Sequence, residues 1–288
     1  SLELQTQIGG CMARLLGRGD IFFRKALVSL GVAGAGLFIQ GCATDGGVQT
    51  SSADAGIVTP SDETDVRRRA RIRLELAAKY FENGQTTVAL DEVKQSLATD
   101  PSYADAYNMR GLIYMRLNDL AQAEDSFRRA VSMRSGDANL LHNYGWLLCQ
   151  MKRYPDAEQQ FDKALANPAY MARGKTLMAR GLCQSAAGKY DEAEQSLLKS
   201  YQLDAGNPVV SYHLASLLFR RNEFTRAQFY IRRLNNGALA NSESLWLGIK
   251  VEKALGDNVA LLQLADQLRK RFPDSAELSA YQRGAFNE

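Results

Sequence analysis

Small and large apolar positions recur along most of the chain with one period. A small residue stands at Ala77, Gly111, Gly145, Gly181, Ala215 and Gly248, at spacings of 34, 34, 36, 34 and 33. Twelve residues after each comes an alanine, at Ala89, Ala123, Ala157, Ala193, Ala227 and Ala260. Four residues later the position is bulky and apolar: Val93, Phe127, Phe161, Leu197, Ile231 and Leu264. Between the first two registers lie Gly84, Asn118, Gly188 and Asn222, residue types that tolerate a left-handed backbone. The pattern predicts helix, turn, helix in six copies, starting near residues 70, 104, 138, 174, 208 and 241. A small residue on each helix lets two backbones approach, and the bulky residue one turn away fills the space around that contact. One such pair cannot bury its apolar face alone, so the copies are expected to stack into a single array over residues 66–288. Past Pro273, residues 274–288 can form a last mixed-polarity helix that shields the exposed end of that array.

Upstream the pattern is different. Ala26 to Ile39 is apolar without an ionisable residue, and Arg14, Arg18, Arg24 and Lys25 precede it. Its 14 residues fall short of the roughly 20 needed to span a bilayer as a helix. Residues 12–41 therefore read as a secretory signal, and residues 1–11 as an extension upstream of it. The run ends in Ile39, Gln40, Gly41 and Cys42, which resembles the lipobox of bacterial lipoproteins, although Gln40 is unusual there. The resemblance implies that Cys42 carries acyl chains, palmitate among them, and becomes the first residue of the mature protein. With Ala43 rather than Asp after the cysteine, it further implies delivery to the outer membrane, the folded part facing the periplasm. Residues 42–65 are rich in Gly, Ser, Thr and Asp and read as a flexible tether spanning roughly 25 Å.

The repeat period and its fixed positions resemble the tetratricopeptide (TPR) repeat. The second copy carries the pattern best, with Tyr107, Gly111, Tyr114, Ala123, Phe127 and Ala130 in register, and Pro101, Pro168 and Pro273 close copies one, three and six. Gln184 replaces the aromatic position in copy four, and Ser135 and Leu239 stand where copies two and five would close with proline, so copies four and five are expected to be irregular. The resemblance implies an all-α, right-handed superhelical solenoid of six TPR units with a C-terminal capping helix.

Composition excludes few classes but weakens several. Hydrophobic residues make up 45% and charged residues 23%, ordinary for a folded soluble chain. The formal charge of +3 lies mostly before residue 42, which argues against a phosphate-binding surface and hence against nucleic acid. The run RRRARIR at Arg67–Arg73 reads as a solvated helix face. His142 and His213 lie two copies apart, outside any metal-ligand spacing, and the string GVAGAG at Gly31–Gly36 sits in the signal core after no strand. No catalytic, metal, cofactor or small-molecule site emerges, so the expectation is a protein without enzymatic activity. Cys149 and Cys183 fall on neighbouring first helices, and spacing alone does not bring two Cα atoms within the roughly 7 Å a disulfide needs. The expectation is two buried free thiols.

In TPR arrays the concave face is lined by set positions of each first helix, here including Asn108, Leu112, Met115, Arg116, His142, Trp146, Cys149, Met178, Leu182, Tyr212 and Phe219. Such an apolar stripe is either core or a groove for an amphipathic helix or extended peptide, with Trp146 or Tyr212 as anchors. Asn143 and Lys175 alone approach the arrangement with which some TPR domains grip a peptide carboxylate. A lipidated signal, a short tether and six TPR units together resemble the PilF/PilW family of type IV pilus pilotins. That resemblance implies an outer-membrane lipoprotein that binds the pilus secretin subunit and promotes its localisation and multimerisation. Two rivals stand beside it: a TPR lipoprotein that recruits or activates peptidoglycan enzymes, and a catalytic envelope protein.

Overall fold

The computed structural model describes residues 63–286. The expected extension (1–11), the signal (12–41), Cys42 and most of the tether lie outside the described residues. Among the described residues there are thirteen helices and no strand, so the fold is all-α. In chain order they are α1 (Asp65–Glu82), α2 (Thr86–Thr99), α3 (Ala104–Arg116), α4 (Leu120–Met133), α5 (Ala138–Gln150), α6 (Tyr154–Ala166), α7 (Arg173–Ala186), α8 (Tyr190–Leu203), α9 (Pro208–Arg220), α10 (Phe224–Asn235), α11 (Ser242–Leu255), α12 (Asn258–Arg271) and α13 (Ala276–Arg283). They form two compact units divided between Asp100 and Pro101.

The first unit is the hairpin α1–α2. The Thr64 hydroxyl accepts the Arg67 amide at 3.1 Å and caps α1. Ala77, Ala89 and Val93 are fully buried where the two helices meet, and the Ser96 hydroxyl donates to the Ala70 carbonyl at 2.7 Å. The basic run is a charged surface face: Arg67 pairs with Asp100 at 2.5 Å, Arg71 with Glu63 at 3.0 Å and Arg73 with Glu92 at 3.0 Å.

The second unit stacks five hairpins, α3–α4 to α11–α12, and α13. Each first helix packs on its own second helix, and each second helix on the next first helix. The small-to-bulky register is the core of the first four of these hairpins; in the last, Ala260 and Leu264 are half-buried and Ala265 and Leu268 are buried instead. A Cβ placed on Gly111 would stand 2.7 Å from the Phe127 ring, and one on Gly181 would stand 2.7 Å from Leu197. Phe127 and Phe161 are completely buried. The turns take the left-handed backbone that the sequence pattern requires, at Gly84 (φ 77°), Asn118 (60°), Gly188 (78°) and Asn222 (60°). The third hairpin does the same with Lys152 (60°), a residue type that pays a steric penalty there.

Hairpins four and five are regular helices, contrary to the expectation set by Gln184 and Leu239. Gln184 is buried, yet its amide donates to Glu158 at 3.1 Å and its carbonyl accepts the Ser196 hydroxyl at 2.7 Å. A buried polar group with partners costs little, so the helix has no reason to distort. The irregularity lies in the long spacing between copies three and four. There Tyr170 turns inward and shares a 2.9 Å hydrogen bond with the Thr176 hydroxyl, Met171 stands 96% exposed, and Arg173 donates to the carbonyls of Leu165 and Asn167.

α13 closes the end. Its Ser275 cap accepts the Leu278 amide, Leu278 is buried, and Tyr281 and Phe286 pack their rings against Trp246. Among the described residues no helix is long and apolar enough to cross a membrane.

Candidate functional site

The first helices of the second unit are joined side by side through polar and covalent contacts. Asn143 on α5 donates to the Asn108 carbonyl on α3 at 2.9 Å. His142 Nδ1 meets the Thr176 hydroxyl of α7 at 2.9 Å, and that hydroxyl also holds Tyr170. At the other end of the same two helices, Cys149 and Cys183 form a disulfide with Cα atoms 5.8 Å apart. The expectation of two free thiols is corrected: α5 touches α7 directly, and the two positions face each other across that contact.

The ladder sorts the anticipated groove residues by exposure. His142, Met178 and Leu182 are buried, and Cys149 is bonded, so these line the seam between first helices rather than a surface. Asn108, Leu112, Met115, Trp146, Tyr212 and Phe219 are half-buried, and Arg116 is exposed. Leu112 and Met115 share one packing group around Phe127 and Leu147. Tyr212 and Phe219 share another, around Leu218 and Ile231, which separates the half-exposed apolar residues into two patches.

The electrostatics follow from burial. Desolvation, with the nearby Lys175 ammonium as a lesser cause, pulls His142 down to about 3, so it stays neutral at any physiological pH. Burial alone holds Lys175 below its usual value. Burial pushes Tyr212 up to about 12, helped by the carboxylates of Glu243 and Glu277. Near it, Lys250 lies 5.4 Å from the Trp246 ring and 5.9 Å from that of Phe219, a cation held between aromatic faces. Sequence reasoning passed over Trp246 and Lys250 because they stand outside the concave positions. Their signal was a second tryptophan on the first helix of the last hairpin.

Two open clefts lie outside the set of groove residues. One, of about 380 Å³, lies between the start of α5 and the 167–172 loop; the other, of about 530 Å³, lies between α8 and the α9–α10 turn and is lined by the Arg221 and Arg226 ion pairs. No group of His, Cys, Asp and Glu among the described residues could hold a metal ion. Half-buried apolar side chains on a stacked helical scaffold, with polar groups between them, are an arrangement that binds polypeptide.

Stacked hairpins with this core register define a tetratricopeptide-repeat protein, a scaffold for protein–protein interaction. The tetratricopeptide repeat signature matches residues 74–139 and 142–208, and a second form of it matches residues 185–243. The chain is 30% identical over 259 residues to the type IV pilus assembly protein PilF of Pseudomonas aeruginosa, covering 90% of this chain and 98% of that protein. It therefore belongs to the PilF family of type IV pilus assembly proteins. The crystal structure of PilW, a widely conserved type IV pilus biogenesis factor, superposes with a TM-score of 0.70 at 29% identity, over 76% of this chain and 100% of that one. A solved Pseudomonas aeruginosa PilF gives 0.69 at 27% identity, over 77% and 100%. An uncharacterised Haemophilus influenzae protein is 28% identical over 47% of this chain and 75% of its own length.

Proposed function

We propose that this chain is a lipid-anchored pilotin of the outer membrane, which binds the type IV pilus secretin subunit and promotes its localisation and multimerisation there. The observation that carries the reading is the similarity to PilF along nearly the whole length of both chains. The Ile39–Cys42 ending of the signal-like run supports the anchor, and the half-exposed Leu112, Met115 and Trp146 support an apolar grip on a secretin segment. Each buried acyl methylene contributes about 0.8 kcal/mol, so two or more chains on Cys42 fix the protein to the bilayer. Anchoring confines the search for a membrane-bound partner, and the tether leaves the array free to turn toward it. No bond is made or broken in this role. The array shields apolar partner surface until subunits meet.

The test is a pull-down of the full-length protein from detergent-solubilised outer membranes, beside a Cys42→Ser form and a Leu112→Ala/Trp146→Ala double variant. The reading expects recovery of the secretin, fewer secretin multimers in the Cys42→Ser strain, and at least a tenfold loss of secretin affinity in the double variant. Recovery of peptidoglycan enzymes, with secretin multimers unchanged, would move the protein to the adaptor class. Full secretin affinity in the double variant would sink the proposed grip and leave the anchor standing.

A further inference from the structure

The outward surface of the second helices changes character at hairpin five. In copies one to four, the position two residues past the repeat alanine is Asp91, Asp125, Gln159 and Gln195; in copies five and six it is Phe229 and Leu262. Both are largely exposed, at 58% and 62%, and Val259 one turn before Leu262 is 69% exposed. Charge changes at the same place. α6 and α8 each carry more carboxylates than cations, whereas α10 has Arg226, Arg232 and Arg233 with no carboxylate, and α12 has Arg269, Lys270 and Arg271 with only Asp266.

The exposed apolar residues share a face with part of this charge, Arg226 and Arg233 on α10 and Lys270 on α12. On α10, Arg226, Phe229, Tyr230 and Arg233 follow each other at helical spacing, opposite the buried Ala227, Ile231 and Leu234. On α12, Val259, Leu262, Asp266 and Lys270 do the same, opposite the buried Ala265 and Leu268. Equivalent positions of stacked repeats point the same way, and both helices pack on α11. Some of the charge is committed: Arg226 pairs with Glu194 and Glu223, Arg232 with Glu252 and Asp257, and Lys270 with Asp266. Arg233 instead lies 5.8 Å from the Tyr201 ring and faces no carboxylate at ion-pair distance among the described residues. Exposed Phe229 and Leu262, with the Arg226 and Arg233 guanidinium groups beside the phenylalanine, match the chemistry of an anionic bilayer surface, where rings and methyls enter between headgroups and cations meet phosphates.

We propose that the outer face of α10 and α12 docks on an anionic phospholipid surface. The contact is separate from the Cys42 anchor and from the concave grip, and it turns a tethered array into one lying on the membrane with its last two hairpins down. The crystallised PilW and PilF chains align over their whole length with about three quarters of this chain, so the array folds without the N-terminal segment. Residues 63–288 are therefore the probe, floated with vesicles of phosphatidylethanolamine and phosphatidylglycerol or of phosphatidylcholine alone. Binding is expected to the anionic vesicles and to weaken as salt rises. A Phe229→Glu/Leu262→Glu variant, which changes only exposed side chains, should lose roughly tenfold or more of it. Gln159→Glu/Gln195→Glu places the same charges at the equivalent positions of hairpins three and four and should lose much less. The proposal is overturned by equal binding to both vesicle types, by an equal loss in both variants, or by light scattering that shows a dimer dissolved by the first variant.

Discussion

His142 shows how far a single side chain departs from what its position suggests. It occupies a concave position, yet the fold encloses it between Thr176 and the Phe161 ring and holds it neutral. The folded imidazole titrates near 3 and the unfolded one near 6.5, so between those values the unfolded chain takes up a proton that the folded chain refuses. Stability is complete above the unfolded value and falls as pH drops toward the folded one, by about 1.4 kcal/mol per pH unit for one group. Urea unfolding of His142→Gln between about pH 6.5 and 4 should show a slope flatter by that amount. Lys152 gives a second prediction. Its left-handed backbone costs about 1 kcal/mol, part of which glycine would return as unfolded-state entropy, so Lys152→Gly should raise stability by about 0.5 kcal/mol in the same assay. The turn glycines and asparagines were legible because their residue types declare the backbone. Lys152 was not, because only the array around it imposes that conformation.

At the scale of helices, sequence and structure agree most closely where the period is carried by volume. Gly111 against Phe127 and Gly181 against Leu197 are contacts that the registers define before any coordinates are known. What periodicity missed is polar. Gln184 read as a defect and proved to be a hydrogen-bonded core residue; Tyr170 lies in a long inter-repeat connection and proved to be a buried strut. Glu252 on α11 is fully buried and receives two hydrogen bonds from Arg232, at 2.7 and 2.9 Å, and one from Gln228 at 2.8 Å. Removing the cation strands that carboxylate. The Arg232 side chain is itself 45% exposed, so water compensates in part, and Arg232→Ala should cost about 2–3 kcal/mol in thermal unfolding. Adding Glu252→Gln should recover part of the loss, which a mere packing defect would not allow. The candidate face was half legible: spacing identified the half-exposed Leu112, Trp146 and Tyr212, but nothing in spacing distinguishes them from the buried Met178 and Leu182. That distinction depends on how closely neighbouring first helices approach.

In the molecule as a whole, stability is built from neighbour contacts, and the Cys149–Cys183 link adds a covalent one between two of the described hairpins. It closes a separation of 34 residues, for which chain entropy gives about 3–4 kcal/mol. Reduction, or a Cys149→Ala/Cys183→Ala variant, should lower the melting temperature by on the order of 10 °C in calorimetry, and reductant should then have no further effect on the variant. Arrays of this kind behave as springs, each repeat turning slightly on the next. In the role proposed above, the array would be pulled from both ends, by its membrane anchor and by its partner. The bond gives that spring a clamped coil at hairpins three and four, so extension falls on the flanking repeats while the spacing of Asn143, Trp146 and their neighbours is conserved under load.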